Sequence, residues 1–564
     1  MVDCYSPKIK TDAPKIKHSK NQYKRLGNGK ETAVSFSFSF AFSYRSEMPP
    51  PPPSSSPSSA IQDPMKAWRV LVLQITTSKV TDAFTLFMKS AFVISTVASL
   101  SLLLYFTFSY SHLLLLSCPH CSRDPVPVLS LRKFTLPASN DPEPPTNISH
   151  ILFGIGGSAR TWHKRRHYCE LWWRPNITRG FVWLDERPQK NVTWPAGSPP
   201  YRVSSDTSRF KYSCWYGSRS AIRIARIIKE SFELGLANVR WFVMGDDDTV
   251  FFTENLVRVL SKYDHDQMYY IGANSESVEQ DVVHSYTMAY GGGGFAISYP
   301  LAVELVKILD RCIDRYAKMY GSDQKVQGCL SEIGVPITRE LGFHQVDIRG
   351  NPYGLLAVHP LAPLVSLHHL DYVDPLFPTL TRTDSLKRLR TAYELDSDRT
   401  LQHSFCHELT RNWSISISWG YTIQLYPSLP TAKELETAPQ TFWTWRTWST
   451  EPFTFNTRPV SANPCKQPVI YFLDGAYDSG STGETVTTYR RHVDGGKGCD
   501  RHEYVAARGV ERFNVRASKF NPDLWKKAPR RQCCEVVNGG DDTDINVVEV
   551  MIRSCNPWDS VTPR

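Results

Sequence analysis

Apolar and polar positions follow three regimes along this chain, and each predicts a different kind of structure. Between Ser90 and Ser122 there is no Asp, Glu, Lys or Arg, and Ala91 to Leu116 is mostly apolar. That run is longer than the roughly 20 residues a helical membrane span requires. It also exceeds the roughly 7–15-residue core of a secretory signal peptide, and no small-residue cleavage pattern comes after it. A transmembrane segment over 91–117 is predicted, the alternative being a buried core helix. From about residue 148 short apolar runs that end in glycine or acid alternate with helical periodicity, as in His150–Gly154, Phe181–Leu184 and Trp241–Met244 set against Ser220–Leu234 and Leu301–Tyr320. This alternation predicts an α/β domain. Beyond about residue 395 the period shortens to two, in Trp413–Leu425 and Val547–Ile552, which predicts strands and a β-rich accessory domain.

Composition refines these boundaries. Residues 1–65 hold a basic run, a Ser-Phe repeat and Pro49–Pro53, a low-complexity tail that builds no core. The segment before Met65 is compositionally foreign to the rest of the chain, so a product starting at Met65 is expected to be the working form. Residues 66–90 form a basic cytosolic segment with Lys66, Arg69, Lys79 and Lys89. By the positive-inside bias the N-terminus lies in the cytosol and everything after about residue 120 in the lumen. A Pro-rich stem occupies 118–147, an α/β domain 148–394 and the accessory domain 395–564. The net charge of +10 is partly an end effect, since eight Lys/Arg and two acids lie within the first 30 residues; nucleic-acid binding is therefore not expected. Twelve of the 13 cysteines lie beyond the span, as do the sequons at Asn147, Asn176, Asn191 and Asn412, which suits an oxidising lumen. Cys118 and Cys121 abut the span, where a disulfide within or between chains fits, leaving a homodimer open.

The chemistry concentrates at Trp241–Val250, where an apolar strand reaches Gly245 and leads into three carboxylates, Asp246, Asp247 and Asp248. In an open α/β sheet ligands bind beyond the carboxyl ends of the strands. In extended backbone Asp246 and Asp248 project to one side and Asp247 to the other. Two hard oxygen donors with open positions suit Mn²⁺ or Mg²⁺ completed by substrate phosphates. The alternative is an acidic turn capping the next helix, although Thr253 is already placed as its cap. A rival site lies upstream, where Gly154, Gly156 and Ala159 satisfy the dinucleotide fingerprint, Asp185 and Glu186 end a second strand, and Arg160 to Arg166 form a basic cluster. That cluster holds phosphates or is a solvated helix face. Downstream, Gly291–Gly294 precede a strand and suit close backbone approach to a ligand, or a flexible turn. His368 and His369 offer an imidazole to a metal site begun by Asp248. Trp443, Trp445 and Trp448 offer stacking faces for sugar rings or core packing.

Taken in order, Gly245–Asp248, Gly291–Ile297, Asp323 after a helix and His368–Asp371 resemble the Fringe-related glycosyltransferases of family 31, and more closely their plant Fringe-like branch. The resemblance covers about residues 148–375. It implies a GT-A fold, a mixed, mostly parallel sheet with helices on both faces, together with a UDP-sugar donor, Mn²⁺, a glycan or glycoprotein acceptor and type II residence in the Golgi membrane. It also implies inversion at the anomeric carbon, typically with a β1,3 bond. The family roles would put Asp248 and His369 on the metal, Asp246 and Asp247 near ribose and diphosphate, Asp185 at the nucleotide and Asp323 as the base; Gly292 and Gly293, from the glycine run itself, are expected to bind the ligand through close backbone approach. The chain departs from the family at Gln324, where Fringe carries an acid, and in the setting of its histidine pair. Two other function classes remain, a catalytically silent glycan-binding protein on the same fold and a dinucleotide-dependent oxidoreductase using Gly154 to Ala159.

Overall fold

The computed structural model describes residues 88–105, 143–189, 193–446, 456–480, 483–493, 498–537 and 546–562. Residues 88–105 and 143–564 fall in separate compact units. In the first, helix α1 (Met88–Tyr105) has 18 residues with a mean hydropathy of 1.5 and no buried side chain, long and apolar enough to cross a membrane. The rest of the predicted span, 106–117, the tail and nearly all of the stem lie outside the described residues.

The second unit opens with strands β1 (Ile151–Gly156), β2 (Arg179–Leu184), β3 (Tyr201–Val203), β4 (Trp241–Asp246), β5 (Val250–Phe251), β6 (Tyr270–Gly272), β7 (Phe295–Ser298), β8 (Ile337–Arg339), β9 (Phe343–His344), β10 (Ile348–Gly350) and β11 (Ser366–Leu367). Seven of them form one sheet in the order β3-β2-β1-β4-β7-β6-β8. β3, β2, β1 and β4 are mutually parallel, while β7 is antiparallel to both β4 and β6. Helices α2 (Trp162–Trp172), α3 (Ser220–Phe232), α4 (Thr253–Leu260), α5 (Val278–Val283), α6 (Tyr299–Arg315) and α7 (Ser322–Ile333) surround it.

Strand alternation explains the two-sided burial. Ile151, Phe153, Trp241, Val243 and Ala296 pack on the face that carries α2 and α4, whereas Leu152, Phe242, Met244 and Ile297 pack against α3, α6 and α7. The fingerprint glycine Gly154 sits inside β1 rather than in a turn, and a Cβ there would stand 2.7 Å from Ile227 of α3. It lets a helix close on the sheet. Thr253 is the first residue of α4 and not its cap; the hydroxyl of Tyr393 instead accepts the N–H of Glu254 at 3.0 Å.

The remaining strands are β12 (His403–Glu408), β13 (Trp413–Ser418), β14 (Thr422–Tyr426), β15 (Ala438–Pro439), β16 (Phe442–Thr444), β17 (Thr457–Arg458), β18 (Val469–Asp478), β19 (Glu484–Arg491), β20 (Arg512–Ser518), β21 (Cys533–Val536) and β22 (Val547–Arg553). Eight of them close a barrel, β12-β13-β14-β18-β19-β20-β22-β21. β13 alternates Ser and apolar residues yet is buried on both faces. Its isoleucines Ile415 and Ile417 lie in the large core, while the Ser418 hydroxyl donates to the Leu356 carbonyl at 3.0 Å. One hydrophobic core runs from Ile151 of the sheet to Ile552 of the barrel. Disulfides join Cys312–Cys329, Cys406–Cys534, Cys465–Cys499 and Cys533–Cys555, and Cys169 is free and buried.

Candidate functional site

The site forms where β4 ends. That strand continues through Gly245 to Asp246, and Thr249 fixes the turn beyond it. Its hydroxyl accepts the Asp246 N–H at 2.8 Å and donates to the Gly292 carbonyl at 2.7 Å. The Asp247 N–H donates to Gly156 O at 2.9 Å, so the acids hang from the ends of β1 and β4 together.

Alternation then separates the carboxylates. Asp247 turns to Arg165 of α2, with Nη1 3.0 Å from Oδ1. Asp246 and Asp248 face His368, whose Nε2 lies 3.1 Å from Asp248 Oδ1 and 3.8 Å from Asp246 Oδ2. One oxygen from each of these acids and the ring nitrogen all lie within 4.8 Å of one another. Arg165 spans the group, with Nη2 3.3 Å from Asp248 Oδ2 and Nε 3.7 Å from Asp371 Oδ2.

Four carboxylates, Asp371 among them, thus meet Arg165 and His368. Burial opposes charge on Asp248, but His368 and Arg165 hold its carboxyl well below the usual range. Burial, with the neighbouring carboxylates, pushes Asp247 up to about 6 and Asp246 up to about 7. His368 is raised despite its burial, because Asp248 stabilises the imidazolium. Its Nδ1 is buried with no hydrogen-bond partner among the described residues. Two carboxylates, an imidazole and a surplus of negative charge form a donor set that fits a divalent ion of the Mn²⁺ class.

His369, expected as the metal ligand, is engaged elsewhere. Its Nδ1 lies 2.9 Å from Asp347 Oδ1 and its ring stacks on Trp445 at 4.3 Å. The left-handed backbone at His369, φ 51°, turns the chain there. The geometry brings His368, not His369, to Asp246 and Asp248.

Asp323 is the second residue of α7 and lines one small cavity with Asp246 and Gly291. Its Oδ2 accepts the Gly291 N–H at 3.2 Å and its Oδ1 the Gln324 N–H at 2.9 Å. Capping belongs to Gln324, whose Oε1 accepts the N–H groups of Tyr320 at 2.9 Å and Gly321 at 3.2 Å. Gly292 and Gly293 make room for protein groups. A Cβ at Gly292 would stand 2.0 Å from the His368 ring, and one at Gly293 3.1 Å from Gln345 N. Asp185 stands at the exposed end of β2, where it accepts the Ala159 N–H and the Ser158 hydroxyl, both at 2.9 Å. These bonds outweigh partial burial and hold its carboxyl below the usual range.

Arg165, placed above in a basic cluster that holds phosphates or is a solvated helix face, pairs instead with the acids of the site; its spacing to Tyr168, Cys169 and Trp172 on one stripe of α2 was the available signal. Two further residues of the site had no assigned place in the sequence. Arg223 donates to the Trp183 and Gly157 carbonyls at 2.8 and 2.9 Å, tying the ends of β1 and β2. Arg349 donates from Nε to the Trp445 carbonyl at 2.7 Å and lies over the Trp445 ring. No local pattern announces that pairing.

Residues 208–348, which hold the triple acid, the glycine run and Asp323, match the Fringe-like family model. The chain carries a Fringe-like domain. A second family model, a protein of unknown function called DUF604, matches residues 280–534, from the glycine run through most of the barrel. A beta-1,3-glucosyltransferase of Mus musculus is 31% identical over 143 residues, 25% of this chain. The chain spans about a quarter of that relative, 28% of its length. Among solved structures, a glycosyltransferase involved in glycosylation of the major capsid of PBCV-1 aligns at a TM-score of 0.23 and 13% identity, covering 42% of this chain and 97% of that one. The active-site mutant Q189E of LgtC aligns at 0.27 and 11%, covering 42% and 93%. At those scores the two alignments add nothing to the fold described above.

Proposed function

We propose that the chain is a metal-dependent glycosyltransferase that moves a sugar from a UDP-sugar to a glycan or glycoprotein hydroxyl with inversion, forming a β1,3 bond as a type II protein of the Golgi membrane. The observation that carries this reading is the cluster of Asp246, Asp248 and His368 at the end of β4, with Asp323 lining the same cavity as Asp246. The Fringe-like match and the name of the mouse relative support the reaction class and the linkage.

Asp246, Asp248 and His368 would hold a divalent ion, which supplies charge neutralisation for a departing diphosphate. Arg165 keeps Asp247 and Asp248 ionised and positioned. Asp323, its carboxylate oriented by the N–H groups of Gly291 and Gln324, takes the proton of the acceptor hydroxyl as it attacks. Inversion by such in-line attack requires no covalent nucleophile. Incubating the purified chain with a panel of UDP-sugars, with Mn²⁺ or with EDTA, tests the proposal. Metal-dependent release of UDP from one donor supports it. Metal-dependent UDP binding with no turnover for any donor and acceptor would favour a silent glycan-binding protein instead.

A further inference from the structure

A cavity of about 630 Å³ opens in the barrel-bearing half, between β14, β18, β19, the Arg458–Gln467 segment and the helix His502–Gly509. Among the described residues that line it, none belongs to the acid site and none is an Asp or Glu. Four cations line it: Arg458, Lys466, Arg491 and Arg508. Among the described residues, Arg458 and Arg491 have side-chain hydrogen bonds, and they spend them on neutral groups. Arg458 donates to the Thr437 carbonyl at 2.9 Å and the Tyr426 hydroxyl at 2.6 Å. Arg491 Nη1 donates to the Arg508 carbonyl at 2.6 Å, while its Nε is buried with no partner among the described residues. Four positive side chains without a paired carboxylate among the described residues, one with an orphaned buried donor, constitute a site for an anion.

We infer that this cavity binds a carboxylate-bearing saccharide. Guanidinium groups pair with planar carboxylates. Tyr426, Phe472 and Tyr504 line the cavity with aromatic surface and Ser461 with a hydroxyl, whereas the Gln424 and Gln467 amides are held by protein groups. A volume between about 300 and 1,000 Å³ is that of a small-ligand site. A nucleotide fits less well. Diphosphates favour helix N-termini and glycine turns, whereas the helix His502–Gly509 contributes Arg508 from its last turn, the end with negative dipole. The Cys465–Cys499 disulfide joins the neighbours of Lys466 and Gly498, so two rims of the cavity are tied together before any ligand arrives. The choice of a saccharide over another organic acid rests on the glycan-directed function proposed above.

Calorimetry on the full chain in detergent, in EDTA, tests this with the trimer of galacturonic acid, its neutral methyl ester and UDP. The trimer is expected to bind, with an affinity that falls with salt, and the methyl ester to bind about tenfold more weakly or less. Lys466 and Arg508 are at the protein surface, so Lys466→Gln combined with Arg508→Gln should keep the fold and metal-dependent UDP binding while weakening the trimer about tenfold. No binding of the trimer, equal binding of the methyl ester, or an unchanged affinity in the double variant would overturn the inference. Displacement of the trimer by UDP in EDTA would make the site a nucleotide site and overturn it too. Trimer binding in a chain that shows no metal-dependent UDP binding would leave this inference standing while the transferase proposal fell.

Discussion

Asp248 and Asp323 are carboxylates of one site with different neighbours, and removing charge alone separates their roles. Asp248 touches His368 and Arg165, so Asp248→Asn is expected to abolish Mn²⁺-dependent UDP binding together with turnover. Asp323 accepts hydrogen bonds from backbone N–H groups, and the helix is capped at Gly321 with Gln324 reaching back to it, so Asp323→Asn should leave folding and UDP binding unchanged while lowering transfer by about 10²–10⁴-fold. Calorimetry and a transfer assay read both, and transfer at the native rate by Asp323→Asn would send the search for the base elsewhere. A third test uses Gly292, where a Cβ would collide with the His368 ring at 2.0 Å. Gly292→Ala should weaken metal-dependent binding without touching a carboxylate, and a normal metal titration would remove His368 from the ligand set. At this scale the acids were legible because three adjacent carboxylates at a strand end have few structural uses. The choice between His368 and His369 was not legible, because it turns on one left-handed backbone residue and on the distant Trp445 that stacks on His369.

Elements of this molecule are joined by charge and by sulfur at identifiable places. Arg165 is the link from α2 to the acid end of β4, and its partners Asp247 and Asp248 are almost fully buried. Removing one partner of a buried ion pair costs about 3–5 kcal/mol, so Arg165→Met should lower the unfolding free energy by roughly that amount in metal-free protein. A bound divalent ion should recover part of the loss, and denaturant titrations with and without Mn²⁺ measure both. The barrel closes through β12 and β21, where the register is a single pair, Phe405 with Cys533, and the Cys406–Cys534 disulfide lies beside it across a separation of 128 residues. Replacing both Cys406 and Cys534 by Ser should cost about 2–5 kcal/mol. An unfolding midpoint equal to the native one would mean that the strand pairing alone holds the seam. Helix and strand types were legible in periodicity, since a period of two and a period near 3.6 cannot both suit one backbone. Their ends were not. Thr253 has the residue type of a cap but is displaced by a distant tyrosine hydroxyl, and Gly154 matches a phosphate turn yet sits inside β1 because α3 needs the space.

At the scale of the whole molecule, the parts named from composition are knitted into one body from Glu143 onward. Asn147, Asn176 and Asn412 are exposed on it, so a glycan can be accommodated at each of them. If the chain has the proposed type II orientation, glycosidase treatment will lower its apparent mass and protease added to sealed vesicles will spare this body; digestion without detergent would reverse the orientation. The pattern change near residue 395 suggests a second domain that could be cut away, but physical continuity argues otherwise. The core runs unbroken from β1 to β22, β16 pairs with β10, Arg446 meets Glu279 at 3.3 Å, and Trp445 stacks on the ring beside His368. The DUF604 match, from residue 280 to 534, crosses the same line. Removing 395–564 would take Trp413, Ile415, Ile417 and Tyr421 out of the shared core and strip the backbone of β10 of its partner β16, leaving apolar and hydrogen-bonding surface that one sheet and its helices do not cover. A chain ending at residue 394 should therefore aggregate or melt without a cooperative transition, whereas residues 143–564 should unfold in one step with the metal site intact. A monomeric 143–394 fragment with its own sharp transition and native Mn²⁺-dependent UDP binding would show that the barrel is an appendage rather than half of the structure that holds the site.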